Sequence, residues 1–90
     1  MYILKYSNKI KKDMKICKKR GYDFKELEKV INKLQIPEPL EDKNREHNLI
    51  GDYAGFKECH IAPDWLLIYR YCGEYLELAR TGTHSDLFKK

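Results

Sequence analysis

Three histidines, His47, His60 and His84, fall in the back half of this 90-residue chain, and the last closes the run Arg80-Thr81-Gly82-Thr83-His84. Imidazole has an ordinary pKa of about 6.5, so it gives and takes protons near neutrality, while a neighbouring arginine can hold an anion. These residue types in a basic chain point to acid–base work on a phosphodiester. Taken one at a time, each histidine has an ordinary reading as a surface residue.

The neighbours of each histidine sharpen the reading. In Phe56-Lys57-Glu58-Cys59-His60-Ile61, strand alternation puts Lys57, Cys59 and Ile61 on one face and Phe56, Glu58 and His60 on the other. Cys59 and His60 therefore point apart, and with no H-E-x-x-H pair either, metal-free chemistry is expected. Pro63-Asp64-Trp65 closes the next turn, where Asp64 can orient an imidazole or take a proton and Trp65 either stacks on a base or fills the core. Arg80 is expected to share a strand face with Leu76 and Leu78, where its guanidinium needs an anion: a phosphate, or Asp64 or Glu77 within the fold. Gly82 allows a tight turn, and the apolar Leu87 and Phe88 should dock the tail and so hold His84. His47, in Arg45-Glu46-His47-Asn48-Leu49, is the least constrained of the three.

Nucleophilic catalysis by the protein is poorly supported. The cysteines Cys17, Cys59 and Cys72 lack an identifiable basic partner, and there is no G-x-S-x-G, phosphate-binding glycine loop or dinucleotide fingerprint. What remains is proton transfer on a substrate that brings its own nucleophile, as RNA does with its 2′-hydroxyl.

The elements that must position these residues are legible in the hydrophobic period. Tyr2, Leu4 and Tyr6 alternate on one side of a short strand expected to bury that side. Ser7 offers a cap, and Ile10, Met14 and Cys17 at i, i+4 and i+7 predict an amphipathic helix over 8–20 that Gly21 stops. Asp23 as N-cap with Glu26 as reciprocal partner, and Tyr22 stapled on Leu27, announce a second helix that Pro37 and Pro39 end. From residue 44 the period becomes two, which predicts strands at 45–50, 56–61, 65–71 and 75–82 joined by short turns. The expected class is α+β, with two antiparallel N-terminal helices on a twisted, mainly antiparallel sheet.

Size and charge bound the rest. Ninety residues make one domain, 1–90, with a single modest core hiding roughly 60–65% of the unfolded surface. The three widely spaced cysteines form no C-x-x-C and indicate neither a disulfide framework nor a zinc finger. Met1-Tyr2-Ile3-Leu4-Lys5-Tyr6 is too short for a secretion signal and no window is apolar enough to span a membrane, so a cytoplasmic location is expected. The net charge of +4 hides an asymmetry: residues 1–35 carry 11 Lys/Arg against 4 Asp/Glu, and residues 36–90 carry 7 against 10. A basic front half suits a polyanion or an acidic protein partner, and either attachment should weaken with salt.

The ordered set His47, Leu49-Ile50-Gly51, Phe56-Lys57-Glu58-Cys59-His60-Ile61, Pro63-Asp64-Trp65-Leu66-Leu67-Ile68-Tyr69 and Arg80-Thr81-Gly82-Thr83-His84-Ser85-Asp86-Leu87-Phe88 resembles the YafQ branch of the RelE/ParE toxin superfamily. These are small ribosome-dependent mRNA interferases of bacterial toxin–antitoxin pairs, and the resemblance covers essentially the whole chain. It implies catalytic roles for His47, His60, Asp64 and His84, and RNA contacts for Lys57, Trp65, Arg80 and Phe88. It further implies mRNA in the ribosomal A site as substrate, no metal or other cofactor, and a cognate antitoxin as partner. Two departures stand out: Lys57, where relatives commonly have arginine and so a bidentate phosphate clamp, and the added Lys89-Lys90.

On this resemblance the reaction is a transesterification leaving a cyclic phosphate. Asp64 or a histidine deprotonates the 2′-hydroxyl, His84 protonates the leaving 5′-oxygen, and Arg80 with the remaining histidines stabilises the charge. The alternative is a ParE-like toxin that binds its target on the same fold without cutting, which has no need of three histidines and an aspartate together. A small interaction domain with incidental histidines is the third reading.

Overall fold

The computed structural model describes residues 1–88; Lys89 and Lys90 lie outside the described residues. The chain opens with β1 (Ile3–Tyr6), and Ser7 then caps α1 (Asn8–Lys19) by accepting the Ile10 N–H at 2.9 Å. Ile10, Asp13 and Cys17 form the buried side of α1, while Lys9, Lys11, Lys12, Lys15, Lys18 and Lys19 face solvent. Gly21, at φ +78°, turns the chain toward α2 (Phe24–Gln35). Asp23 does cap this helix, but its carboxylate takes the Lys25 N–H at 3.0 Å; Glu26 reaches Lys29 at 3.4 Å rather than closing a capping box. A cation at i+3 is a competing partner for that carboxylate.

Four further strands follow: β2 (His47–Asn48), β3 (Lys57–Ala62), β4 (Trp65–Cys72) and β5 (Tyr75–Gly82). A five-residue helix, α3 (His84–Phe88), closes the described chain. The sheet order is β1-β5-β4-β3-β2, antiparallel except that β1 lies parallel to β5 at the edge. The α+β class and mainly antiparallel sheet agree with the periodicity. Other expectations do not. The first meander strand shrinks to two residues, because the backbone turns away at Gly51 (φ +71°) into a short 3-10 turn and leaves Ile50 90% exposed. In β1, Tyr2 and Leu4 pack on the core, but Tyr6 at the sheet edge stays exposed.

The two faces of the sheet have different tasks. β4 alternates Trp65, Leu67 and Tyr69 toward the helices and Leu66 and Ile68 away from them. On the helix side Leu27, Ile31 and Leu34 of α2 and Ile10 and Cys17 of α1 join Leu67, Tyr69, Leu76 and Leu78 in the main core. Each buried leucine there contributes about 1.5–3 kcal/mol. The other side carries a smaller cluster, Leu66, Ile68 and Leu87, with Tyr53, Phe56 and Phe88 packed against it.

A bulge decides where Arg80 belongs. Tyr69 pairs with Leu78 but Ile68 pairs with Arg80, so Ala79 has no partner across the ladder. The extra residue reverses the alternation and turns Arg80 to the face of Ile68, away from Leu76 and Leu78, which corrects the shared face expected from simple alternation.

Candidate active site

The site grows on the sheet face opposite the two long helices. Register places Glu58 beside Ile68 and His60 beside Leu66 on β3, with His47 of β2 directly opposite Glu58. Glu58 is buried at 4% exposure, and its Oε1 lies 3.4 Å from His47 Nε2 and 3.8 Å from His60 Nε2. One carboxylate thus stands between two imidazoles. The second nitrogen of His47 is 2.9 Å from the Arg45 carbonyl, which tethers an otherwise exposed ring. Burial pushes the His60 pKa down against the pull of Glu58, so its neutral, proton-accepting form is favoured.

His84 arrives from the other end of the chain. It is the first residue of α3, and its ring meets that of His60 edge-on with centroids 5.7 Å apart. Asp64, in the Pro63-Asp64 turn between β3 and β4, presents Oδ1 to His84 twice: to the main-chain N–H at 3.0 Å and to imidazole Nδ1 at 2.6 Å. Those two bonds hold the Asp64 carboxyl below its ordinary pKa, the main-chain donor first and the imidazole second. An ionised Asp64 requires a proton on Nδ1, which leaves Nε2 as the free nitrogen of His84.

Arg80 completes the polar group. Asp13 of α1 grips it bidentately, Oδ2 to Nε at 2.7 Å and Oδ1 to Nη2 at 3.1 Å, and Oδ2 also accepts the Thr81 N–H at 3.2 Å. The partner is therefore neither Asp64 nor Glu77; Glu77 pairs with Arg70 and Lys5. The Asp13 hydrogen bonds, outweighing desolvation, hold Arg80 protonated well above its ordinary range. Its remaining nitrogen, Nη1, lies 3.5 Å from the Tyr53 hydroxyl, and the Tyr53 ring meets Phe88 edge-on at 6.1 Å.

His47, His60, Asp64, His84 and Arg80 are thus gathered on one surface, with Phe88 joined through Tyr53. Two expected RNA contacts are not gathered there. Lys57 pairs with Tyr69 on the other pleat of β3, beside a hollow formed with Asn48, Phe56, Arg70 and Tyr71. Trp65 is 4% exposed, donates Nε1–H to Thr81 Oγ1 at 2.8 Å and packs on Tyr22 and Phe24 at 4.9 and 5.9 Å. Its ring fills the core instead of offering a stacking face, because β4 alternation sends residue 65 toward the helices.

Asp13 and Glu58 were missed as site residues, yet both carry a signal. Asp13 is an acid inside the apolar stripe of α1, one turn from Ile10 and Cys17, and a charge there demands a buried partner. Glu58 shares strand parity with His60. Among the described residues, one ligand atom each from Glu58, His60 and His84 all fall within 4.8 Å of one another, close enough to share a small cation.

The fold and its surface define a small α+β domain in which three histidines, two carboxylates and Arg80 share one face of the sheet. Residues 2–89 match the family model described as "Bacterial toxin of type II toxin-antitoxin system, YafQ", and the chain belongs to that family. It is 36% identical over 86 residues to the mRNA interferase toxin YafQ of Escherichia coli K12, covering 94% of each chain. Among solved structures it is similar to the E. coli DinJ-YafQ toxin–antitoxin complex, at 35% identity, 97% coverage of each chain and a TM-score of 0.87. A metal-bound toxin from Helicobacter pylori is similar at 42% identity over 98% of this chain and 100% of that one, with a TM-score of 0.92.

Proposed function

We propose that this chain is an mRNA interferase that cuts message in the ribosomal A site by acid–base transesterification and is held inactive by a cognate antitoxin. The observation that carries this reading is the Asp64–His84–His60 arrangement. Asp64 fixes the Nδ1–H tautomer of His84 and leaves Nε2 free, and a half-buried His60, whose pKa burial lowers, stands 5.7 Å away, ring to ring. A ParE-like binder has no use for an oriented acid next to a desolvated base.

In the reaction His60 takes the 2′-hydroxyl proton, the 2′-oxygen attacks phosphorus in line, and the protonated His84 delivers its Nε2 proton to the leaving 5′-oxygen. The products are a 2′,3′-cyclic phosphate and a free 5′-hydroxyl. Arg80 and His47 stabilise charge on the phosphoryl oxygens, and Glu58 balances the charge that His60 and His47 gain. Acid and base each contribute about 10²- to 10⁴-fold, which leaves alignment of the RNA as a large remaining share. The ribosome supplies that alignment, and the exposed lysines of α1 supply a surface for an RNA backbone. The antitoxin reading rests on the complex named for the E. coli relative.

A second reading has its own observation: the Glu58–His60–His84 cluster together with a relative described as metal-bound. An ion seated there takes the lone pairs that the proton transfers need. On the acid–base account such an ion inhibits, so toxin stripped of transition metals and assayed on ribosomes kept in Mg²⁺ cleaves fully and added copper or zinc lowers the rate; stripped toxin that is inactive and regains activity with the ion would favour the metal reading. The whole proposal is tested by His84→Ala. Expressed without antitoxin, wild type should arrest growth and the variant should not; equal toxicity would refute the role of His84.

A further inference from the structure

We propose that Arg20 and Asp86 form a latch that positions His84 for proton transfer, an inference that rests on the functional reading above. α3 has only five residues, far below the roughly 12–15 at which an isolated helix becomes even marginally stable, so something outside it must fix the direction of His84. Leu87 anchors its far side in the small apolar cluster. Asp64 holds the imidazole, but from an exposed turn.

The latch works on the first turn of α3. Asp86 Oδ2 accepts the Thr83 N–H at 2.9 Å while Thr83 Oγ1 accepts the Asp86 N–H at 3.1 Å, a reciprocal pair that closes the turn around His84. The same carboxylate is gripped by the Arg20 guanidinium, Nη1 to Oδ2 at 2.6 Å and Nη2 to Oδ1 at 3.1 Å. Arg20 sits at the C-cap of α1, where its main-chain N–H bonds the Ile16 carbonyl. Gly82 makes room: a Cβ at that position would come within 2.9 Å of Asp86 Oδ2. Together with the Asp13–Arg80 clamp, this makes α1 the frame for two site residues, through two carboxylate–guanidinium pairs of opposite sense.

The pair is partly exposed, at 37% and 31% for its two side chains, so breaking it should cost little global stability while loosening α3. That separates positioning from folding. A displacement of about 1 Å at a catalytic group can cost about 100-fold in rate, so Arg20→Gln and Asp86→Asn should each lower single-turnover cleavage of ribosome-bound mRNA by about 10- to 100-fold. KM should stay near wild type and the thermal midpoint should fall only slightly, as for a part-exposed pair, Arg20→Lys should recover part of the loss in rate, and the double variant should be no worse than the poorer single one. Independently of cleavage, the ¹⁵N shifts of the His84 imidazole should move from one Nδ1–H tautomer in wild type to a mixture in both variants. Unchanged shifts and unchanged kcat in Arg20→Gln and Asp86→Asn would overturn the latch. If wild type cuts no RNA but the tautomer still shifts, the latch stands and the functional reading falls; a variant that unfolds is replaced by Arg20→Lys, judged on the same shifts.

Discussion

A single oxygen of Asp64, Oδ1, accepts both the main-chain N–H of His84 and its Nδ1–H, at 3.0 and 2.6 Å. Backbone and side chain of one residue are thereby fixed to the same point, and a proton on Nδ1 leaves Nε2 free, the nitrogen that the proposed reaction uses. Asp64→Ala should lower single-turnover cleavage about 10²-fold, with Asp64→Asn in between because its amide oxygen can still accept both bonds but carries no charge to hold the Nδ1 proton. Rapid-quench assays on ribosome-bound message measure this, and wild-type rates in Asp64→Ala would remove Asp64 from the site.

Burial lowers the His60 pKa, and the neighbouring Glu58 charge works in the opposite direction. Since the base must be neutral, the acid limb of the pH–rate profile should lie below the ordinary histidine value of about 6.5. Replacing Glu58 by Gln removes the charge that favours protonated His60, so the limb should move to still lower pH. A limb that moves upward would contradict this assignment of the base.

Asp13 and Arg80 are 10% and 19% exposed in their side chains, and Asp13 also answers the Thr81 N–H. Asp13→Ala leaves a largely buried cation without its partner and should cost about 3 kcal/mol in urea unfolding. Cleavage should fall beyond what the lost folded fraction explains, because the guanidinium loses its direction. A loss under about 1 kcal/mol, the range of a surface pair, would show that the clamp is solvated.

Trp65 tests the division of the sheet into a core face and a site face. Trp65→Phe removes the bond to Thr81 and some packing, so stability should drop by about 1–2 kcal/mol while cleavage by the folded fraction stays near wild type. A base-stacking tryptophan would show the reverse, with stability kept and RNA binding weakened.

Asp86 is held far below the ordinary carboxyl range, first by Arg20 and then by the Thr83 N–H. A depressed folded pKa gives stability that is complete above the unfolded value of about 3.9 and is lost as pH falls toward the folded one. Acid unfolding should therefore steepen below about pH 4, and Arg20→Gln should flatten it there. Identical acid profiles for the two proteins would count against the pair.

How much of this was legible beforehand follows from which physical signals are local. Both long helices, their stripes and the caps at Ser7 and Asp23 lie in residues a few positions apart, and so do the turns at 63–64 and 73–74. The gathering of His60, Asp64 and His84 rested on resemblance, since 20 residues separate Asp64 from its partner. The face of Arg80 was misread because a bulge at Ala79 leaves no mark in an alternating run. The parallel β1–β5 edge and the Arg20–Asp86 pair, 66 residues apart, depend on how the layers close, which local period does not encode.

Cleavage of translated message can be read at its products, by mapping 5′ ends on mRNA after brief expression without antitoxin. New 5′-hydroxyl ends should appear at a fixed position within in-frame codons, absent with His84→Ala and scarce when the same message is presented as naked RNA. Growth arrest with no such ends, or ends that ignore the reading frame and form equally on naked RNA, would contradict it.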